Sequence, residues 1–408
     1  FILIERSMGD DALIPLKLFR SSTFSMATII GVFVGFAMFG AMLTLPLYLQ
    51  LVLGSSPTES GFQLLPMILG LMISSIVSGQ IIARTGHYRI FPTIGTAFMA
   101  LGFFTLTFVR YDTSYWQIAG AMLLIGLGLG QLMQTLTIAS QNSVGPRDIG
   151  VATSGSTFFR QIGGTLGTAV LLSLLFTLVP LNLQTNFKDQ ATLSDALDAA
   201  LDPTVATAPA NAGIMSKVYD PFVAKLTDGA LSGAQQGVEQ AKTAAADAVA
   251  QQVAAGTIPA AAQAQVTAAA QEQAIQQAAA AIQQQLPVAK VASDGTVTLD
   301  FSDATARRAF VDQAVPQIID GMSNSSDASF DNSTMDDTSF LNGADPRLTK
   351  PLLVSFNQSS ISVYWVAMGV ALIAFVLTLF FRTPPLRQKS ALQESADAAR
   401  HAEPIALG

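Results

Sequence analysis

Six long apolar runs, almost free of charge, constrain this chain more than any other feature. They cover Thr23–Leu51, Ser60–Ala83, Ile90–Val109, Tyr115–Ser140, Val151–Val179 and Ile361–Phe381. Each holds about 20 residues or more, the length a helix needs to cross a hydrocarbon core of roughly 30 Å. A water-soluble core has no use for six such runs. In lipid, every backbone N–H and C=O must find its partner within the protein, so runs of this length fold as helices. The sequence predicts an all-α membrane protein: a six-helix bundle with a large, mostly helical insertion between the fifth and sixth spans.

The charges are segregated. Only 12% of the 408 residues are charged and 50% are hydrophobic, against about a quarter charged in a soluble domain. Residues 181–358 hold 19 acidic and 9 basic residues; the remainder holds 12 basic and 9 acidic. The net charge of −7 thus comes from one polar insertion, which reads as a solvated, self-repelling segment rather than a nucleic-acid mimic. With no Cys there is no disulfide framework, thiolate metal site or thiol nucleophile. No metal-, nucleotide- or cofactor-binding constellation is present, and the chain does not read as an enzyme. It begins at Phe1 rather than Met, and the expectation is that an earlier part is missing, with Phe1–Ile4 the tail of a preceding span.

The short connections sort by sign. Lys17 and Arg20 precede the first run, Arg84 and Arg89 separate the second and third, and Arg147 separates the fourth and fifth. Arg382, Arg387 and Lys389 follow the sixth, whereas the alternate short loops carry only Arg110. The positive-inside rule makes the first set cytoplasmic and the insertion extracytoplasmic. The organisation expected is a cytoplasmic linker over 1–22, five spans over 23–180, the insertion over 181–358, the sixth span over 359–382 and a cytoplasmic tail over 383–408, all in a plasma or inner membrane. Tyr48, Tyr111, Tyr115, Trp116, Tyr364 and Trp365 fall at the outer span ends, where amphipathic rings anchor at headgroup level.

Within the insertion, Gly233–Leu286 is rich in Ala and Gln, both good helix formers, and predicts one or two long polar helices. Val291–Phe301 predicts a short hairpin, because Asp294-Gly295 is a turn signal flanked by Val and Thr. Ser323–Thr338, rich in Ser, Asn and Asp, reads as irregular, and its Asn-x-Ser/Thr triplets at Asn324 and Asn332 carry little weight.

Polar residues inside the spans are few and therefore informative. Gln131, Gln134, Thr135 and Asn142 share a helical face of the fourth run. Together with Met38 and Met133 they are the candidates for lining a substrate cavity; Met42 adds to the same soft, adaptable wall. Arg160 shares a face with Thr153, Thr157, Gly164 and Thr168 in the fifth run, roughly 7 Å to the cytoplasmic side of mid-membrane at about 1.5 Å per residue. A cation at that depth costs at least about 2.5 kcal/mol unless paired or hydrated, so Arg160 faces a cavity, another helix or a phosphate. Gly31 and Gly35, Gly126, Gly128 and Gly130, and Gly163 and Gly167 have the spacing of close helix contacts. Pro46 and Pro66 lie inside the first and second runs and should bend them. No Asp or Glu lies inside any run, leaving no titratable acid in a transport path; His87 and His401 fall in predicted cytoplasmic segments.

The loop Gly79-Gln80-Ile81-Ile82-Ala83-Arg84-Thr85-Gly86-His87-Tyr88-Arg89 resembles the degenerate second copy of the signature loop of the major facilitator superfamily, Gly-x-Leu-Ala-Asp-Arg-x-Gly-Arg-Arg. Gly79, Arg84 and Gly86 fit; Arg89 falls one place beyond the last Arg of the pattern, and Ala83 stands where the pattern has Asp. Pro15-Leu16-Lys17-Leu18-Phe19-Arg20, the stretch Phe159-Arg160-Gln161-Ile162-Gly163-Gly164-Thr165-Leu166-Gly167, Phe340-Leu341-Asn342 with Asp345-Pro346, and Pro385-Leu386-Arg387 are similar to the fourteen-span drug:proton antiporter branch of that superfamily in its actinobacterial style. The resemblance implies the C-terminal half of a proton-coupled multidrug efflux permease, with a small amphiphilic substrate, protons and the bilayer as partners. The coupling acid would lie in a missing N-terminal bundle. It implies a gating role for Gly79, Arg84, Gly86 and Arg89, and a packing or gate role for Arg160, Gln161, Gly163, Gly164 and Gly167. Two alternatives stay open: a membrane-anchored module of the cell envelope whose working part is the insertion, and an uptake permease of the same superfamily.

Overall fold

The computed structural model describes residues 15–324, 339–341 and 343–382. The readings made for Phe1–Ile4, Asn332, Asn342, Pro385–Arg387, Lys389, His401 and most of Ser323–Thr338 lie outside the described residues. The chain divides into two compact units, one of residues up to Val179 and from Phe356 onward, the other of Pro180–Ser355.

The first unit is helical. Its helices are α1 (Ser22–Leu51), α2 (Pro57–Gln63), α3 (Leu65–Thr85), α4 (Ile90–Leu106), α5 (Tyr115–Asn142), the first part of α6 (Ile149–Phe187) and the latter part of the last helix, Pro346–Leu379. Among the described residues five stretches are long and apolar enough to cross a membrane, α2 and α3 counting as one; α4, at 17 residues, is shorter. Ser21 caps α1 by accepting from the Phe24 N–H. Ser56 and Glu59 form a capping box that starts α2, satisfying two otherwise orphaned N–H groups. The helix then breaks at Leu64, so Pro66 sits in the first turn of α3 rather than bending its middle. A proline there gives up no hydrogen bond. Pro46 does lie inside α1. Gly86 ends α3 in the left-handed conformation, φ 69°, which a side chain resists.

Glycines let the helices touch backbone to backbone. A Cβ on Gly163 of α6 would stand 2.0 Å from the Val32 carbonyl oxygen of α1, and one on Gly167 would stand 2.3 Å from that of Phe36. Residue numbers rise together along this contact, so α1 and α6 run parallel. Gly126 and Gly130 of α5 meet the carbonyls of Met67 and Leu71 in the same way, making α3 and α5 parallel. Gly128 meets Gly95 while Gly102 meets Ala121, so α4 runs antiparallel to α5. Polar contacts fix which ends lie together. Lys17 pairs with Asp148 at 3.5 Å. The Thr23 hydroxyl donates to the Arg382 carbonyl at 3.0 Å, and Asn142 donates to the Tyr88 hydroxyl at 3.0 Å. Lys17, Arg20, Arg84, Arg89, Arg147 and Arg382 therefore gather at one end of the helices. At the other end the short loops carry Arg110, whose carbonyl lies 3.2 Å from the Tyr48 hydroxyl.

The second unit has its own core of Leu193, Leu197, Tyr219, Phe310, Val311 and Leu348, among others. α7 (Gln190–Leu201) is capped by Asp189, and two long helices, α8 (Asp220–Ala254) and α9 (Gln263–Gln285), pack on each other through Val238 and Ile275. Their apolar residues are mostly Ala and Val, so the pair buries little, and a hairpin completes it. Strands β1 (Ala289–Val291) and β2 (Val297–Leu299) pair antiparallel with Val291 opposite Val297. Gly295 at φ 89° and the Asp294 carboxylate, which accepts from the Thr296 N–H at 2.9 Å, make the turn. The Gln235 amide clamps the hairpin to α8, donating to the Gly295 carbonyl at 3.3 Å and accepting from the Val297 N–H at 3.1 Å. α10 (Ala304–Asn324) follows, so Ser323 and Asn324, expected to be irregular, finish a helix. The chain returns through α11 (Pro346–Leu379).

Candidate functional site

Of the helices long enough to cross a membrane, α5 is the least apolar, and it packs on both α3 and α4. Glycines on opposite sides of it make both contacts, which is why its polar residues point in different directions. Gln131 turns toward α4, its Cβ 3.3 Å from where a Cβ on Gly95 would stand, and only 9% of it is exposed. Its side-chain carbonyl oxygen is buried with no hydrogen-bond partner among the described residues. The Thr135 hydroxyl is wholly buried and donates to the Gln131 backbone carbonyl at 2.7 Å. Gln134 is exposed, its amide nitrogen 3.8 Å from a Cβ built on Gly79 of α3. Met133 is half-buried, Met38 buried and Met42 exposed. Asn142 is engaged with Tyr88 at the basic end.

The candidates grouped on one face of the sequence thus do not converge on one cavity in this unit. Gln131, Thr135 and Met38 are inside the packing, Asn142 is at the end, and Gln134 with Met42 reaches the surface. The four loop residues separate similarly. Gly86 shapes the turn, Gly79 faces Gln134, and Arg84 and Arg89 are exposed with no ion pair among the described residues. On α6, Gly163 and Gly167 seat α1, Gly164 faces the Phe39 ring, and Gln161 is exposed. The backbone carbonyl of Arg160 lies against Gly35, and its side chain is half-buried.

Two polar arrangements were not anticipated. Gln141 donates to the Thr153 hydroxyl at 3.1 Å, tying α5 to α6. Tyr48 and Tyr364, expected as headgroup anchors, are each 1% exposed inside the protein, with ring centroids 6.4 Å apart. The Tyr48 hydroxyl donates to Asn357 at 2.8 Å. Span-end position alone cannot distinguish a ring facing lipid from one facing a neighbouring helix; Trp116 and Trp365 do face outward. No cluster of three or more His, Asp or Glu able to hold a metal occurs among the described residues.

Residues 5–168 match the profile of the Major Facilitator Superfamily. An uncharacterised MFS-type transporter of Mycobacterium tuberculosis is 41% identical over 163 residues, 40% of this chain and 24% of that protein. A multidrug transporter protein of Bacillus subtilis is 36% identical over 222 residues, 54% of this chain and 38% of its own. A tetracycline resistance determinant of Streptomyces rimosus is 36% identical over 176 residues, 43% of this chain and 51% of its own. The chain spans about a quarter to a half of the length of these curated relatives.

Proposed function

We propose that this chain is part of a secondary transporter that expels drugs or other amphiphilic small molecules from the cell. The observation that carries the reading is the match of residues 5–168 to a transporter superfamily, with relatives named for multidrug transport and tetracycline resistance. In this reading α1, α3, α4, α5, α6 and α11 are six crossings of a plasma membrane, and the bundle is the C-terminal half of a fourteen-span drug:proton antiporter. The antiparallel run of α4 against α5 supports counting α4 as a crossing despite its 17 residues. The collection of Lys17, Arg20, Arg84, Arg89, Arg147 and Arg382 at one end supports placing that end in the cytoplasm, with residues 181–358 outside.

The two bundles would rock about a site between them, opening it to each side in turn. Gln134, exposed within α5 beside Gly79 of α3, is the polar group we assign to such a site, and Met42 adds an exposed apolar side chain on α1. The acid that couples efflux to protons belongs to the other half. The test is ethidium accumulation in an efflux-deficient bacterial host carrying the complete gene. Lowered accumulation that a protonophore restores supports proton-coupled efflux; accumulation equal to the empty host removes it, and raised accumulation favours uptake.

The separate core of Pro180–Ser355 favours a second reading, in which that unit is an interaction module and the helices anchor it. Deleting residues 184–337 decides between them: retained efflux makes the unit accessory.

A further inference from the structure

Among the described residues of the first unit, Arg160 is the one basic residue that lies more than a turn inside a helix, about three turns from the start of α6. α1, α3, α4, α5, α6 and α11 contain no Asp or Glu at all. Arg160 makes no hydrogen bond or ion pair through its side chain among the described residues, and Asp148, at the same end of the helices, is paired with Lys17 at 3.5 Å. Arginine cannot shed its proton to escape burial. A cation held inside a membrane-crossing helix needs a counter-charge or water.

Arg160 is half-buried and its stem is held against α1. A Cβ on Gly35 of α1 would stand 2.1 Å from the Arg160 carbonyl oxygen and 3.1 Å from the Cγ of its side chain. The stem of Arg160 thus runs along the bare backbone of Gly35, with the guanidinium beyond it. A guanidinium offers five donors in a rigid fork that matches the paired oxygens of a carboxylate, sulfonate or phosphate.

We propose that Arg160 binds a single oxyanion at the level of Gly35, within the span. The proposal rests on α1 and α6 crossing a membrane and not on efflux. The shared chemistry is a singly charged oxyanion on an amphiphile, and it has two sources: the phosphate of an anionic lipid, or the carboxylate or sulfonate of a transported molecule.

The test uses the complete gene product in a neutral sugar detergent, with thermal unfolding followed by Trp fluorescence. Phosphatidylglycerol and sub-micellar decanesulfonate are titrated in separate arms, with phosphatidylcholine as the uncharged control. We expect at least one anionic probe to raise the unfolding midpoint of the wild type while phosphatidylcholine does not. In Arg160→Gln the gain is lost or needs about tenfold more probe, the loss expected for one charge-assisted contact. A gain with phosphatidylglycerol alone identifies a lipid headgroup; a gain with decanesulfonate in lipid-free micelles identifies a solute. No gain with either probe overturns the site, as does an equal gain in Arg160→Gln. Should Arg160→Gln not fold, Arg160→Lys carries the test: it keeps the charge and loses the fork, so a weakened gain supports the site and an unchanged one overturns it. Ethidium efflux is not read in this experiment, so failure here leaves the transport reading standing.

Discussion

Gly163 lies directly against the carbonyl of Val32, so close that a single methyl group on Gly163 would stand 2.0 Å from that oxygen. Close backbone approach of this kind holds helices together in lipid, where no hydrophobic force separates helix from solvent. Gly163→Ala must push α1 and α6 apart, at about 1–3 kcal/mol. Gly31→Ala has open space around its Cβ and should change little. Unfolding midpoints of the two variants in detergent check the contrast; equal midpoints would mean the contact is not tight.

Gln131 and Gln134 should respond oppositely. Gln131→Met removes a buried, unpartnered carbonyl oxygen, and replacing such a group by an apolar one of similar shape is neutral or stabilising by about 1 kcal/mol. Gln134→Ala touches an exposed residue, so stability should hold while the substrate profile shifts. Unfolding midpoints and drug-by-drug efflux separate the two, and unchanged efflux at unchanged expression takes Gln134 off the list of cavity residues.

Arg307 organises the second unit. Its side chain is 5% exposed and bonds Asp198 at 3.0 Å, Asp202 at 2.9 Å and the Phe301 carbonyl at 2.8 Å. Breaking a buried pair by removing one partner costs about 3–5 kcal/mol, because the other charge is stranded. Arg307→Met should therefore speed hydrogen exchange in α7 and α10, and Asp198→Asn added to it should restore part of the protection. An unaltered exchange pattern in Arg307→Met would show that the network contributes nothing.

Acid should loosen the same unit. Hydrogen bonds from Thr204 hold the Asp202 carboxyl below the usual carboxylate range, helped by the Arg307 charge. Bonds from Thr192 do the same for Asp189, and the Arg347 guanidinium for Asp345. Folded values below the unfolded value of about 3.9 mean that the stabilisation is complete above that pH and is lost as pH falls through the folded values. Exchange protection in α7 should be level from about pH 7 to pH 5 and decline below about pH 4. A decline already between pH 7 and pH 6 would contradict the assignment.

What could be read from the sequence follows from what hydropathy measures. α1 and α5 begin and end within two residues of the expected Thr23–Leu51 and Tyr115–Ser140, because polar loops bound them closely. The fifth and sixth runs mark only the apolar parts of α6 and α11, which continue to Phe187 and back to Pro346 through Asn182, Gln184 and Gln358. A helix needs its own hydrogen bonds, not apolar side chains. The Asp294-Gly295 hairpin was legible because the turn chemistry is local. The Arg307 network was not, because its partners lie more than a hundred residues away. At the candidate site, spacing placed Gln131 and Gln134 on one side of α5, yet a rotation of about 60° separates buried from exposed. Which neighbour fills that angle is a matter of tertiary packing.

The central claim is tested most directly by reconstituting the complete gene product in liposomes and following ethidium movement under an imposed pH gradient. The account predicts drug movement against proton flow that stops when the gradient is collapsed, with the lumenal pH changing in step. Ethidium movement indifferent to the pH gradient, or absent from protein that is folded and inserted, would contradict it.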